Sequence, residues 1–415
     1  MKHTQPARII IYGAVSRAPS NPPKTLDRIK QLLHIVADRI AIKLNFSKRI
    51  NYKNYERHWT YNRGDLAIAD SVQESLHRIG CTYPIARTNW EGLNELQLTD
   101  QDIVIVAGSG YIHPKKNGNL PARVFSDYDA IMKSGCRVSL IGIGVNVLLD
   151  WNHSKATNLT AESRTVLNAL LGLCSSITVR DEQSQKFIQQ LGDYNTSIIG
   201  DPALFLPEQL SEPAAQKPCS KLRIGLSIPF HGIEPTEWIR GNIKDFIKFL
   251  KKLQKSRNSE FEYFLHYDSE RLIYEVMRDS GLDVTLRDGD THALLSHYRD
   301  LDLHIGGMLH SCIMASSQRI PTIALAYDAK HFGFFKLLER EEFCVYNQSL
   351  DYSKLNNLID HIINSQATQR QQLDARIKHL EASYLEAIAK AVAPALPAPT
   401  SPHFDPKENS QISAE

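Results

Sequence analysis

The sequence predicts two α/β domains, each a parallel sheet flanked by helices, facing each other across a cleft. Three observations carry this prediction. Short apolar runs ending in glycine alternate with longer stretches of helical periodicity, as strand–helix units do. The series runs twice, and a proline-rich segment from Leu206 to Ser220 divides the two runs. Finally, 415 residues exceed what one hydrophobic core usually serves, so two domains of about 150–200 residues each are expected. The resulting boundaries are residues 1–205, a linker at 206–221, residues 222–350, C-terminal helices over 351–392 and a tail over 393–415. The tail is rich in Pro, Ala and Ser and reads as disordered.

Composition narrows the class further. Apolar residues at 42% and charged residues at 23% are ordinary for a globular protein. Forty-eight basic against 46 acidic side chains leave +2, without a long run of either sign. Neither a nucleic-acid surface nor a polybasic membrane anchor follows from that balance. The six cysteines (Cys81, Cys136, Cys174, Cys219, Cys312 and Cys344) form no C-x-x-C pair and have no histidine at zinc-finger spacing. They point to a reducing compartment, with neither a disulfide framework nor a structural metal. The first residues lack the apolar core of a signal peptide, and no run approaches the ~20 apolar residues that span a bilayer. The expectation is a cytoplasmic protein that meets any lipid-linked substrate at the inner membrane face. Its oligomeric state stays open.

The first series begins at Arg8 to Gly13, a buried strand ending in a glycine turn, followed by a proline-rich loop. Ile29, Leu32, Leu33, Ile35, Val36, Ile40 and Ile42 recur at threes and fours, predicting a helix over 26–42. Residues 45–64 gather Asn, Tyr, Trp and Arg; a sugar-binding loop and a plain surface loop fit equally well. An amphipathic helix follows over 65–79. Asp102 to Gly110 and Cys136 to Gly144 are strands ending in glycine turns; neither matches a dinucleotide fingerprint or a P-loop. Ser175 to Ser184 is a strand-to-helix joint in which Asp181 caps the helix and Arg180 stands beside free backbone N–H groups. A guanidinium there suits a carboxylate or phosphate, because its fork pairs two oxygens, although a surface ion pair with Asp181 is the plainer reading. Asn195 to Ile199 closes the series.

The second series runs through Leu222 to Ile228, a helix near 243–253, Tyr263 to His266, a helix after Ser269 and Val284 to Leu286. Its most informative stretch is Leu301 to Lys330. Leu301 to Ile305 is an apolar strand, Gly306 and Gly307 break it, and Leu309, Cys312, Ile313 and Ser316 recur at helical spacing before the strand at Thr322 to Ala326. His310 therefore lies in the first turn of a helix at the carboxyl end of a parallel strand, where open α/β sheets place ligands and free N–H groups favour anions. A further helix over 332–338 and a strand near 343–346 follow. Residues 355–390 read as one or two helices that can cross back to the first domain.

With these joints in view, the chain resembles the polysaccharide pyruvyltransferase family. The resemblance rests on Ser-Ile-Thr-Val-Arg180-Asp-Glu-Gln-Ser184, on Gly200-Asp-Pro-Ala-Leu204, and on Met308-Leu-His310 through Ile-Pro321-Thr-Ile-Ala-Leu-Ala-Tyr327-Asp-Ala-Lys330. It implies a GT-B-like pair of Rossmann-like domains. It also implies transfer of a pyruvyl group from phosphoenolpyruvate onto two hydroxyls of a glycan or lipid-linked saccharide, giving a cyclic ketal. By position, the family's histidine falls on His310 as general acid, and its donor-binding arginine on Arg180. Leu309, Gly307, Ser311 and Lys330 join Arg180 on the donor side; Gly108, Ser109, Gly110 and His113 are assigned to the acceptor. Phosphoenolpyruvate enters as co-substrate, and the scheme calls for no cofactor or metal.

Two positions depart from the family pattern. The arginine two residues before the histidine is Met308 here, and a charged hydrogen bond from such a group contributes about 1.5–3 kcal/mol. The N-terminal glycine-asparagine-glycine-aspartate type of turn is replaced after the first strand by Gly13-Ala-Val-Ser-Arg17-Ala. Two other readings stay open. One is a GT-B glycosyltransferase using a nucleotide sugar, since a glycine turn before a helix also holds a diphosphate; the other is a non-catalytic glycan binder.

Overall fold

The computed structural model describes residues 8–13, 25–44, 50–51, 62–90, 92–115, 117–146, 158–207, 221–230 and 232–393. In the first half, β1 (Ile9–Tyr12) is followed by α1 (Thr25–Lys43), α2 (Arg63–Arg78) and β2 (Ile85–Thr88). Then come β3 (Ile103–Ala107), α3 (Ala122–Ser134), β4 (Arg137–Ile143), α4 (Ala161–Leu173), β5 (Cys174–Val179), α5 (Glu182–Gln189) and β6 (Thr196–Ile198). The six strands pair in the order β2-β1-β3-β4-β5-β6, every pair parallel. Parallel neighbours need a crossover, and the helices supplying it cover both faces of the sheet. That is why β1 and β3 are apolar and buried along their whole length.

The second half repeats the plan. β7 (Leu222–Ser227), α6 (Ile233–Arg257), β8 (Ser259–Phe264), α7 (Arg271–Asp279), β9 (Val284–Arg287) and α8 (Thr291–Tyr298) lead into β10 (Leu303–Gly306). α9 (Leu309–Ser317), β11 (Thr322–Ala326), α10 (Ala329–Leu337) and β12 (Cys344–Tyr346) complete it. Its sheet runs β12-β11-β10-β7-β8-β9, again parallel throughout. Two helices, α11 (Tyr352–Asn364) and α12 (Gln366–Val392), end the described chain. No helix among the described residues is long and apolar enough to cross a membrane.

Several elements differ from the sequence reading. β2, an edge strand half-buried at every position, went unanticipated, because Ile-Ala-Arg-Thr shows neither an apolar run nor an alternation. α3, α4 and α8 went unassigned as well. α2 begins at Arg63, capped by the Asn62 side chain, which accepts from Gly64 N at 3.0 Å. α6 starts about ten residues before the expected helix, since Pro235 falls in its first turn, where no N–H is needed. Most of the linker and tail (208–220, 394–415) and most of the Asn- and Tyr-rich loop (45–49, 52–61) lie outside the described residues.

The two halves share one continuous core: Ile68 and Phe205 belong to the same packed cluster as Ile305 and Tyr384. Polar contacts reinforce the junction. Arg63, 5% exposed, donates through Nε to Gly289 O at 3.1 Å, reaches Asp268 at 3.4 Å and pairs with Asp288 in the opposite domain. Truncating it takes a donor from the part-buried Gly289 carbonyl and from Asp268, while Asp288 keeps Arg271 and Gly289 N. Arg63→Ala is therefore expected to lower unfolding stability by ~2–3 kcal/mol, read from the urea midpoint at an unchanged m-value.

Candidate functional site

The carboxyl ends of the two sheets face each other, and a cavity of about 120 Å³ lies between them. The first domain lines it with Asn62, Asp65, Ser109, Gly110, Asn146 and Arg180. The second contributes Tyr267, Met308, Leu309, His310, Tyr327 and Lys330.

One end of the cavity gathers an imidazole and two carboxylates. His310 projects from the first turn of α9 across the junction, with its side chain only 14% exposed. Gly64 makes room for it: a Cβ there would overlap the imidazole ring. Nε2 of His310 stands 3.8 Å from Oδ2 of Asp201, and neither atom has a hydrogen-bond partner although both are buried. The other oxygen of Asp201 accepts from Ala203 N at 3.1 Å and caps the short 3-10 turn Pro202–Phe205, which fixes the carboxylate in place. Asp65 completes this end from the first turn of α2. Burial pushes its pKa up to about 6 and nearby Asp201 adds to the rise, against the opposing pull of His310 and of hydrogen bonds to Asn62 and Ser109. Ser109 adopts φ 57°, a left-handed conformation that non-glycine residues rarely hold, and so presents its hydroxyl to Asp65.

The other end is cationic. Arg180 follows β5 and lies flat over Gly144, where any Cβ would overlap its guanidinium. Its Nε donates to Asp181 at 3.0 Å and Nη2 to Asn146 Oδ1 at 3.3 Å. Asp181 is itself held by Ser184 N at 2.8 Å, so the guanidinium is fixed from both sides. Lys330, at the start of α10, places Nζ 3.5 Å from Asp328 and 5.4 Å from the Tyr327 ring. Burial works to lower its pKa, yet Tyr327 and Asp328 outweigh that and hold it above the ordinary value, against the repulsion of Arg180. No side chain caps the start of α9 at Met308, so the helix's positive end opens on the same space.

The structure brings Arg180, Leu309, His310, Lys330, Ser109 and Gly110 together around the cavity. The other predicted positions sit behind or beside it. Ser311 is fully buried, donating to Met308 O at 2.7 Å and sharing a 3.0 Å hydrogen bond with His304. It thereby shapes the first turn of α9 from inside. Gly307 donates to Ser227 O at 2.6 Å and packs on Pro229, while Gly108 packs on Ile68 and Pro202; both support the turns without lining the cavity. His113 is exposed outside the cavity lining, its pKa lowered by partial burial and by Arg123 and Lys330. Asn62, from the 45–64 stretch read as a possible sugar-binding loop, lines the cavity, whereas sequence reasoning missed Asp65, Asp201, Asn146 and Tyr267 as site residues. For the first two the available signal was an acid immediately before or within a helix start, which reads equally as capping.

A sequence model of the family described as polysaccharide pyruvyl transferase matches residues 45–329. The chain belongs to this family. The matched span begins beyond Gly13 and includes Asn62-Arg63-Gly64-Asp65. That segment forms the entry to α2 and places Asp65 in the cavity. No curated protein matches the chain. Among solved structures, the pyruvyl transferase chain is similar to a candidate UDP-N-acetylglucosamine 2-epimerase from Listeria monocytogenes (11% identity, 75% of this chain and 88% of that one, TM-score 0.50). Also similar are the UDP-GlcNAc 2-epimerase from Neisseria meningitidis bound to UDP-GlcNAc (10%, 78% and 97%, 0.48) and the trehalose-6-phosphate synthase OtsA (9%, 92% and 97%, 0.46). At such identities the likeness is one of fold alone, two parallel sheets flanked by helices.

Proposed function

We propose that the protein transfers the pyruvyl group of phosphoenolpyruvate onto two hydroxyls of a sugar in a polysaccharide or its lipid-linked precursor, working in the cytoplasm. The observation that carries this reading is the polarity of the cavity: two cations and a helix start at one end, an imidazole and two carboxylates at the other. Arg180, Lys330 and the N–H groups of α9 hold the donor's phosphate and carboxylate. Lys330 supplies the cation that Met308 cannot. His310 delivers a proton to the methylene carbon, which becomes the methyl group, and leaves the adjacent carbon open to a sugar oxygen. Phosphate departs as the second oxygen attacks. Of the two hydroxyl protons released, one replaces the proton given to carbon and the other leaves with phosphate. Asp65 is placed to take the first of them, with Asp201 orienting His310. The scheme uses no metal and no cofactor.

The test is phosphate release from phosphoenolpyruvate with a panel of acceptor glycans, beside thermal stabilisation by phosphoenolpyruvate and by UDP- and GDP-sugars. Release that requires acceptor is the expected result. Stabilisation by nucleotide sugars alone, without release, would replace this reading with glycosyl transfer. A base must be ionised, so kcat/KM should fall as pH drops through about 6, the value to which Asp65 is raised, and Asp65→Asn should remove that limb with most of the rate.

A further inference from the structure

One feature of the first domain lies outside the cleft. Of the ten large apolar side chains that the described residues leave exposed, six stand on one stretch of α1 and its last turn: Ile29, Leu32, Leu33, Val36, Ile40 and Leu44, each 47–64% exposed. At 3.6 residues per turn they fall within an arc of roughly 120°, a continuous face. The opposite side fastens the helix to the body. Ile35 and Ile42 are buried there, and Arg39 pairs with Asp279 and, at 3.6 Å, with Glu275 on α7. Among the described residues nothing covers this stripe.

The charges around it are one-sided. Between Ile29 and Leu44 the exposed polar side chains with described positions are Lys30, His34 and Lys43, all basic or able to be so. The single carboxylate of that stretch, Asp38, is buried. We infer that this face of α1 docks on a membrane surface containing anionic lipid, its apolar side chains entering the headgroup boundary and its lysines meeting the phosphates. A second copy of the chain fits less well. A two-fold pairing of α1 on itself would set Lys30, His34 and Lys43 against their copies, with no exposed carboxylate among the described side chains of α1. Such docking would hold the protein where a lipid-linked acceptor lies, but the inference stands apart from the chemistry assigned to the cleft.

Co-sedimentation of the full chain with phosphatidylcholine vesicles, with and without phosphatidylglycerol, tests it in the absence of donor and acceptor. Wild type should pellet with the anionic vesicles, less at high salt, and Leu33→Glu/Val36→Glu should weaken binding about tenfold or more. Lys30→Gln/Lys43→Gln, which removes the charge and keeps every apolar side chain, should abolish the preference for anionic lipid. Absence of wild-type pelleting with either vesicle would overturn the inference. So would vesicle binding indifferent to both double variants. A dimer dissociated by Leu33→Glu/Val36→Glu, with vesicle binding unchanged, would assign the face to a second copy instead.

Discussion

His310→Ala should lower kcat for acceptor-dependent phosphate release by ~10²–10⁴, the usual contribution of a positioned acid, while leaving donor binding and the fold in place. The fold should survive because Nε2 of the imidazole forms no hydrogen bond and stands 3.8 Å from the Asp201 carboxylate. The structure also offers a way to disable this residue without removing it. Gly64 lies against the imidazole, so Gly64→Ala must push the ring off its position and should cost activity to a comparable degree. Phosphate-release kinetics on both variants, with circular dichroism as the check on folding, would decide the matter. Wild-type turnover in either would remove His310 from the role of acid.

Arg180→Ala should act on binding instead. Losing charged hydrogen bonds of about 1.5–3 kcal/mol raises the KM for phosphoenolpyruvate by roughly 10- to 150-fold. Asp181 and Asn146 lose their partner at the same time, so some stability goes too. Arg180→Lys keeps the charge but not the planar fork and should recover little. Gly144→Ala should reproduce the defect, since its methyl group would occupy the place of the guanidinium. Steady-state kinetics with titration calorimetry of the donor separates the cases. A fall in kcat at constant KM would show that Arg180 acts on the transition state and not on donor affinity.

The contrast between these two residues and Asp65 shows what was legible in the sequence. Arg180, His310 and Lys330 each follow a buried parallel strand, and a short apolar run before a helical pattern announces such a joint. The strand series itself could be read for the same reason, since β1, β3, β10 and β11 are buried throughout. β2 could not, because an edge strand with half-buried residues carries no pattern. Asp65 belongs to an amphipathic helix, where an acid in the first turn already has a sufficient explanation in the helix dipole. Asp201 likewise caps a turn. What makes them site residues is their meeting with His310, and that depends on how one domain sits on the other. Local periodicity contains no term for that.

The path of α12 carries a consequence of another kind. Its early turns lie on the second domain, through Arg319–Asp374 at 3.0 Å and Arg376 to Leu337 O at 2.8 Å. Its later turns lie on the first, through Arg78–Glu381 at 2.6 Å, Tyr384 stacked on Phe205 at 4.3 Å, and Arg137 to Lys390 O at 2.8 Å. The domain translated first is therefore completed by the last described helix. While the nascent chain grows, the groove that receives Tyr384 stays open to water until α12 has emerged, and the second domain can close before the first. A partly made chain exposes a greasy trough on its oldest part. That trough is where chaperones would find purchase, and where premature release would lead to aggregation.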